Sequence, residues 1–335
     1  MKALIYEGPY QMHVRDVPLP GLQPDEVLIR VAYSGICGSE LSGYEGKNAL
    51  RKPPLIMGHE FTGAVEAIGE TAERMAPKLE VGDRVTVNPL ITCGECVYCR
   101  SERHQLCATR RLHSAHLPGS NAQFIAVRAD AVIPLPGDLS LKQGALAEPA
   151  ACGVHAARIG MAQAGETALV AGAGPIGLLA IQALRNRGVE TIYCVDLNAE
   201  RRAMAASEGA IVVEASDDAL RQNADLAVDA VGLAATRQLC QSATRSGGRV
   251  VWVGLHESHS ALDVNDAIRR EITSIGSFGY SRGDFLDAVD ALAQGRMGLP
   301  DAWTRVEPLA NGAACFEELL QGSSVAKIWL TIEQN

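Results

Sequence analysis

Residues 167–177 read TALVAGAGPIG, an apolar run that leads into glycines at positions 172, 174 and 177. The run is typical of a buried strand, and the apolar residues that follow Gly177 indicate a helix. A strand, a G-x-G-x-x-G loop and a helix in this order are characteristic of a βαβ unit that binds a dinucleotide. The sequence therefore predicts a pyrophosphate site at the helix N-terminus, where free N–H groups and the helix dipole favour an anion.

The segment after this helix supports the same prediction. Residues 191–195 (TIYCV) read as a second strand that ends on Asp196, twenty-four positions after Gly172. A carboxylate at this place accepts hydrogen bonds from the adenosine ribose and repels a 2′-phosphate. The sequence therefore predicts NAD rather than NADP.

The remaining strand pattern divides the chain into two kinds of segment. Later strands are predicted at 226–228, 249–253 and 272–275, and helical stretches separate the first two, which indicates a doubly wound parallel sheet. The first 90 residues instead read as β-rich. Strands are predicted there at 27–33, 61–68 and 81–87.

A possible metal site lies in this β-rich part. Residues 55–60 read LIMGHE and place His59 beside Glu60, and Cys37 lies upstream in the segment SGICGS. Zinc accepts imidazole nitrogen, thiolate sulfur and carboxylate oxygen in one tetrahedral site. A His-Glu pair by itself is more typical of a solvated turn, so the metal interpretation depends on the cysteines around it.

Four further cysteines form a second candidate site. Cys93, Cys96, Cys99 and Cys107 are separated by two, two and seven residues. Four thiolates at these intervals can enclose one tetrahedral zinc with no open position, which predicts a structural site. The alternatives are four separate reduced cysteines or an iron–sulfur cluster. The total of nine cysteines is odd, which favours metal binding over disulfides.

A helix is predicted shortly after this cluster, because residues 146–149 read LAEP and proline suits the first helical position. This helix is expected to run to about Arg158. Glu148 would then lie just outside it, either as a cap or as a further metal ligand.

Composition limits the classes of function. The 335 residues carry a formal charge of −9, which argues against nucleic acid as the main partner, since phosphate binding needs a basic surface. No run of about 18 apolar residues is present, so no membrane span is expected. The first residues do not read as a secretory signal, and we expect a cytoplasmic protein.

With these motifs in this order, the chain resembles the zinc-dependent medium-chain dehydrogenases. The resemblance is strongest to the polyol branch (sorbitol, galactitol-phosphate and threonine dehydrogenase-like). The resemblance covers nearly the whole chain and implies an α/β protein of two domains. A GroES-like, β-rich catalytic domain would comprise residues 1–147 and 280–335, with a structural zinc lobe at 93–107. A Rossmann NAD-binding domain with a doubly wound parallel sheet would comprise residues 148–279.

The resemblance also implies two zinc ions per chain, NAD, and specific roles. Cys37, His59 and Glu60 would bind the catalytic zinc, with Glu148 as a fourth or exchanging ligand. Ser39 would begin the proton relay, although Ser42 stands where many relatives have a histidine. The residues implied at the cofactor are Gly172, Gly174, Pro175, Ile176, Gly177, Asp196, Arg201, Val231, Gly254, Leu255, Ser277 and Phe278.

The expected reaction is hydride transfer to NAD from a secondary alcohol that is a polyol, a polyol phosphate or an aminocyclitol-like compound. Lys47, Arg51 and Lys52 in the loop at 42–54 could bind a phosphate. Glu40 or Glu45 could instead pair with a substrate amine.

The alternatives are a threonine or amino-alcohol 3-dehydrogenase, and a non-catalytic NAD-binding structural protein on the same fold. By resemblance we expect a homodimer or homotetramer, joined through sheet edges around 249–278. Its other partner would be a small-molecule alcohol, with no nucleic acid and no membrane.

Overall fold

The computed structural model describes residues 1–332 of the chain. The chain forms two compact units: Met1–Glu148 together with the segment from Ala288 onward, and Pro149–Asp287. Every helix within residues 1–332 is too short or too polar to cross a membrane. The assignment of a catalytic role to 1–147 with 280–335, and of NAD binding to 148–279, remains a prediction.

Both units mix strands and helices. The strands, in chain order, are β1 (Lys2–Gly8), β2 (Gln11–Asp16), β3 (Glu26–Gly35), β4 (Leu55–Ile56), β5 (Glu60–Ile68), β6 (Arg84–Val87), β7 (Leu90–Ile91), β8 (Arg111–Leu112), β9 (Phe124–Arg128), β10 (Val132–Pro134), β11 (Thr167–Ala171), β12 (Thr191–Val195), β13 (Ile211–Val212), β14 (Ala224–Asp229), β15 (Thr244–Trp252), β16 (Thr273–Gly276), β17 (Thr304–Pro308) and β18 (Lys327–Thr331). The α-helices are α1 (Gly38–Tyr44), α2 (Val97–Arg100), α3 (Leu141–Gly144), α4 (Ala147–Ile159), α5 (Pro175–Asn186), α6 (Ala199–Ser207), α7 (Ala234–Ala243), α8 (Val264–Arg269), α9 (Arg282–Ala293) and α10 (Gly312–Gln321).

The first unit is built on a mainly antiparallel sheet. Its strand order is β10-β6-β5-β3-β18-β17, and β9 also pairs with β3. Alternate residues of β3 (Val27, Ile29 and Val31) are completely buried, as the period-two pattern predicts. The strand predicted at 81–87 begins only at Arg84, because the chain turns at Gly82 with φ of 96°.

The sheet register brings three distant segments of this unit together. Gly35, at the end of β3, lies opposite Glu60 at the start of β5 and opposite Trp329 in β18. A Cβ atom on Gly35 would lie 2.5 Å from both the Glu60 carboxylate and the Trp329 ring. Glycine is therefore required at this point, and it lets the first residues of β5 and β18 meet beside Cys37.

The second unit confirms the predicted doubly wound sheet. Six parallel strands are ordered β13-β12-β11-β14-β15-β16, and helices connect most of them. In the register of β11 and β12, Ala171 lies opposite Val195. The glycine loop and Asp196 therefore follow the carboxyl ends of two adjacent parallel strands and lie next to each other.

The start of α4 differs from the prediction. The helix begins at Ala147, so Glu148 lies in its first turn rather than just outside it. Proline is tolerated throughout a first helical turn, because the N–H groups there have no partner within the helix. The proline signal therefore locates the helix start only to within two residues.

Candidate metal site and dinucleotide-binding loop

The three residues predicted to bind a catalytic zinc come together in the first unit. The ligand atoms of Cys37, His59 and Glu60 all lie within 4.8 Å of one another, and the histidine and the glutamate are buried. One thiol, one imidazole and one carboxylate at this spacing are a donor set that suits zinc. Glu148 does not belong to this group.

A buried carboxylate fixes the His59 ring. Nδ1 of His59 lies 2.5 Å from Oε1 of Glu40, which is fully buried. Burial alone would raise the pKa of Glu40, but the charge of His59 and its hydrogen bond lower it to about 2. With Nδ1 occupied by Glu40, Nε2 is the nitrogen left for a metal. Glu40 is thus a support for His59, and its side chain has no exposed surface at which a substrate amine could bind.

A buried lysine holds the Glu60 carboxylate. Nζ of Lys327 lies 2.5 Å from Oε2 of Glu60 and donates to the carbonyl of Ile36 at 3.1 Å. Burial alone would lower the pKa of Lys327, but the Glu60 charge raises it overall, and Glu148 adds to this effect. One oxygen of this predicted zinc ligand is therefore paired with an ammonium group in the structure.

The four cysteines of the predicted zinc lobe also converge. Their sulfur atoms all lie within 4.8 Å of one another. The Sγ of Cys99 is 3.5 Å from that of Cys96 and 3.8 Å from that of Cys93, and Cys107 lies 3.6 Å from Cys93. This donor set suits one tetrahedral zinc with every position filled by protein.

The glycine loop has the form that a pyrophosphate site requires. Gly172 has φ of 95°, and a Cβ on Gly177 would lie 1.8 Å from the carbonyl oxygen of Gly172. Gly174 caps α5, and a Cβ there would meet no atom within 4 Å. Pro175 and Ile176 form the first turn of α5, so the open space lies at the helix N-terminus, where the prediction places the anion.

Asp196 supports this loop directly. Oδ2 of Asp196 accepts a hydrogen bond from the Ala173 N–H at 2.7 Å, and Oδ1 accepts one from Asn198 at 2.8 Å. Arg201 lies in the first turn of α6, and its Nε is buried without a hydrogen-bond partner. The sequence indicated Asp196 as a ribose ligand but gave no sign of its bond to the loop.

The remaining predicted cofactor residues lie at the carboxyl ends of later parallel strands. Val231 follows β14 and donates its N–H to Asp229. Gly254 and Leu255 follow β15, and Leu255 is 82% exposed. Ser277 and Phe278 follow β16. This edge of a doubly wound sheet is where dinucleotides bind in such folds.

Comparisons with known proteins agree with this geometry. A family model described as the alcohol dehydrogenase GroES-like domain matches residues 23–137, and one described as zinc-binding dehydrogenase matches residues 175–294. The D-arabitol-phosphate dehydrogenase of Enterococcus avium is 32% identical over 94% of this chain and 92% of its own. The chain belongs to the zinc-dependent medium-chain dehydrogenases.

Two further similarities refine this assignment. The sorbitol dehydrogenase of Bacillus subtilis (strain 168) is 34% identical over 88% of this chain and 86% of its own length. A zinc-binding dehydrogenase of Sinorhizobium meliloti 1021, solved bound to NADP, has a TM-score of 0.90 with 27% identity and covers 98% of each chain. The dehydrogenase is therefore an oxidoreductase of the polyol branch, and the predicted fold and family are confirmed.

The predicted relay residue of the dehydrogenase lies beside the predicted metal ligands. Oγ of Ser39 donates to the Cys37 sulfur at 3.4 Å and accepts from Nη2 of Arg51 at 3.1 Å. Arg51 is only 4% exposed, and its Nε has no hydrogen-bond partner. Of the three loop cations, Lys47 instead pairs with Glu45 at 2.6 Å. The structure therefore brings Arg51, and not Lys47, to the candidate site.

Sequence reasoning missed the residues that support the metal ligands. Lys327 lies 267 residues from Glu60, inside a segment that reads as an ordinary buried strand. A lysine within an apolar strand is the one local signal that could have indicated a buried ion pair, since an unpaired charge is rarely buried. Ser114, which donates to Glu40 at 2.6 Å, has no such signal.

Proposed function

We propose that this dehydrogenase oxidises a secondary alcohol of a polyol or polyol phosphate, with NAD as the hydride acceptor and one catalytic and one structural zinc per chain. The observation that carries the proposal is the convergence of Cys37, His59 and Glu60, with Ser39 beside the thiol. The polyol class is supported by the two relatives named for D-arabitol phosphate and sorbitol.

The chain supplies distinct functions around the substrate oxygen. When bound, zinc lowers the pKa of an alcohol and the nicotinamide ring accepts a hydride. Glu40 keeps the His59 ring in the tautomer that can bind a metal. Ser39 would take the substrate proton first, and Arg51 donates a hydrogen bond to its hydroxyl. Because Ser42 stands where many relatives have a histidine, water or the cofactor ribose would have to accept the proton from Ser39.

Arg51 also bears on the class of substrate. The nearly buried Arg51 guanidinium donates to the exposed Ser39 hydroxyl, so it places a positive charge directly behind the group that would meet an anionic or hydroxyl-rich substrate. An amino-alcohol substrate would find no unpaired carboxylate for its ammonium group at these two residues, because Glu40 is buried against His59 and Glu45 is paired with Lys47. These contacts favour a polyol or its phosphate over threonine or an aminocyclitol.

The preference for NAD is supported by Asp196, whose carboxylate lies at the loop where the ribose of a dinucleotide is expected. A non-catalytic role would predict eroded metal ligands, whereas Cys37, His59 and Glu60 lie together and Glu148 is present in the sequence.

We further propose a homodimer or homotetramer. Its support is the edge position of β16 in the second unit's sheet, with Val264 and Ile268 exposed on the neighbouring helix α8. The cytoplasmic location remains a prediction from the sequence.

The decisive experiment follows NAD reduction at 340 nm with plain polyols, polyol phosphates, aminocyclitols and threonine as matched substrates. We expect turnover with polyols or their phosphates and little with the amines. Exclusive turnover of threonine or an aminocyclitol would refute the proposed substrate class. Elemental analysis of the same preparation is expected to give two zinc ions per chain, and a single zinc would remove one of the two assignments.

A further inference from the structure

We propose that Ser114 is a positioning residue for the catalytic metal, acting on His59 through Glu40; the proposal rests on the metal-ligand role of His59 proposed above. Oγ of Ser114 donates to Oε1 of Glu40 at 2.6 Å, and the same oxygen lies 2.5 Å from Nδ1 of His59. Ser114 is therefore linked to the proposed ligand His59 through a single side chain, that of Glu40, although the two residues are 55 positions apart in the sequence.

The backbone of Ser114 is unusual. Its φ is 73°, in the left-handed region that residues with a Cβ rarely adopt. The other non-glycine residues of positive φ within residues 1–332 are all exposed: Tyr10, Glu102, Met161, Gln222 and Glu271. Ser114 is completely buried. Glycine would relieve the strain, so a serine here indicates that its hydroxyl has a specific use.

The use is seen in the bonds to Glu40. Oε1 of Glu40 receives three donors, which are the Gly58 N–H at 2.9 Å, His59 Nδ1 and the Ser114 hydroxyl. Its other oxygen has one long contact, 3.4 Å from the Cys37 N–H. A glutamate side chain rotates about three torsions. A hydrogen bond to its carboxylate from a separate segment of the chain therefore restricts its conformation considerably. Gly58 and His59 supply such a restraint from one segment, and Ser114 supplies it from another.

The segment that carries Ser114 is itself firmly held. It follows β8, which pairs with β7 on the other side of the cysteine lobe. The His113 N–H donates to the Pro89 carbonyl at 3.1 Å, and His113 Nδ1 bonds the Pro118 carbonyl at 2.7 Å. The Ser114 N–H donates to Leu117 at 2.9 Å. A fixed loop thus holds the Ser114 hydroxyl against Glu40. Glu40 in turn fixes the orientation of the His59 ring that would bind the metal.

The test uses S114G, because glycine relieves the backbone strain while it removes the hydroxyl. Zinc affinity of the full-length protein would be measured by competition with a chelator, and Co²⁺ in place of zinc would report ligand geometry through its visible spectrum. We expect about a tenfold weaker binding of the catalytic metal and a changed Co²⁺ spectrum, since supporting residues of metal ligands typically contribute 10–100-fold. The thermal unfolding midpoint of the metal-stripped protein should be unchanged or higher.

Four further variants separate the explanations. E40Q should weaken the metal at least as much as S114G, and S114G/E40Q should add little to E40Q. T244V removes another fully buried hydroxyl, which donates to Cys240 at 2.7 Å, and should leave both metals unaffected. Unchanged affinity and spectrum in S114G, or full additivity with E40Q, would overturn the proposal. Two zincs retained in H59A would instead refute the ligand role of His59, and none of these readouts depends on finding a substrate.

Discussion

Replacing Lys327 by methionine tests the buried ion pair at the metal site. Methionine keeps an unbranched chain of similar length but leaves the Glu60 charge without its partner. Lys327 and Glu60 are 3% and 1% exposed, and their charged atoms are 2.5 Å apart. Removing one member of such a pair typically costs about 3–5 kcal/mol, because the other charge remains buried and unpaired. For a unit of this size that corresponds to a fall in unfolding midpoint of roughly 6–20 °C.

The metal state decides how much of this loss is seen. In K327M the Glu60 carboxylate is free to bind the cation, so zinc should restore more stability in the variant than it adds to the wild type. Scanning calorimetry of chelator-treated and zinc-loaded protein measures both effects. The double variant E60Q/K327M, which removes both charges, should be more stable than K327M without metal. Equal midpoints for K327M and the wild type without metal, or a double variant less stable than K327M, would refute the reasoning.

Three other changes give equally defined results. In D196S, loss of the carboxylate should raise the ratio of kcat/KM for NADP to kcat/KM for NAD by about 30-fold or more, because roughly 2 kcal/mol of repulsion is relieved. An unchanged ratio would mean that specificity is set elsewhere. D196N is the control for the loop, because it removes the charge but retains one oxygen that can accept the Ala173 hydrogen bond. Burial raises the pKa of Asp284, but hydrogen bonds from His155 and Arg158 lower it overall, so its stabilisation is present above about pH 4 and is lost as the pH falls further. D284N should therefore lower stability by about 2–3 kcal/mol at pH 7 and flatten the fall of the unfolding midpoint as the pH is lowered below about 4, and a profile parallel to the wild type would contradict this. C99S should lose one zinc per chain by elemental analysis while the other is retained, and two zincs in this variant would disprove the structural site.

The parts of the structure that could be predicted from sequence are those set by local patterns. The glycine loop, its strand and Asp196 lie within thirty residues of one another, and each has a backbone requirement that few residue types meet. The cysteine cluster is similar, because its spacing alone brings four sulfurs together. Local patterns define the ends of helices and strands less closely, since the proline in the first turn of α4 is compatible with more than one starting residue.

The parts that could not be predicted depend on strand register and long-range contacts. Lys327 reaches Glu60 because β18 pairs with β3 beside β5, and no local pattern specifies that pairing. Glu40 reads as an exposed acid near a glycine-rich turn, yet it is fully buried because a short helix directs it behind His59. The strain at Ser114 is likewise created by the folded loop.

These long-range contacts explain how the proposed catalytic site can form before a metal binds. Two buried carboxylates, Glu40 and Glu60, lie beside two buried cations, Arg51 and Lys327. Each carboxylate therefore has a cationic neighbour in the absence of an ion, so the predicted ligands can hold their places without large repulsion. Four thiolates within 4.8 Å of one another would repel strongly without an ion, so we expect the cysteine lobe to need a bound zinc to keep its form. Metal removal should therefore disorder the lobe before the catalytic site, in a sequence that hydrogen exchange can follow.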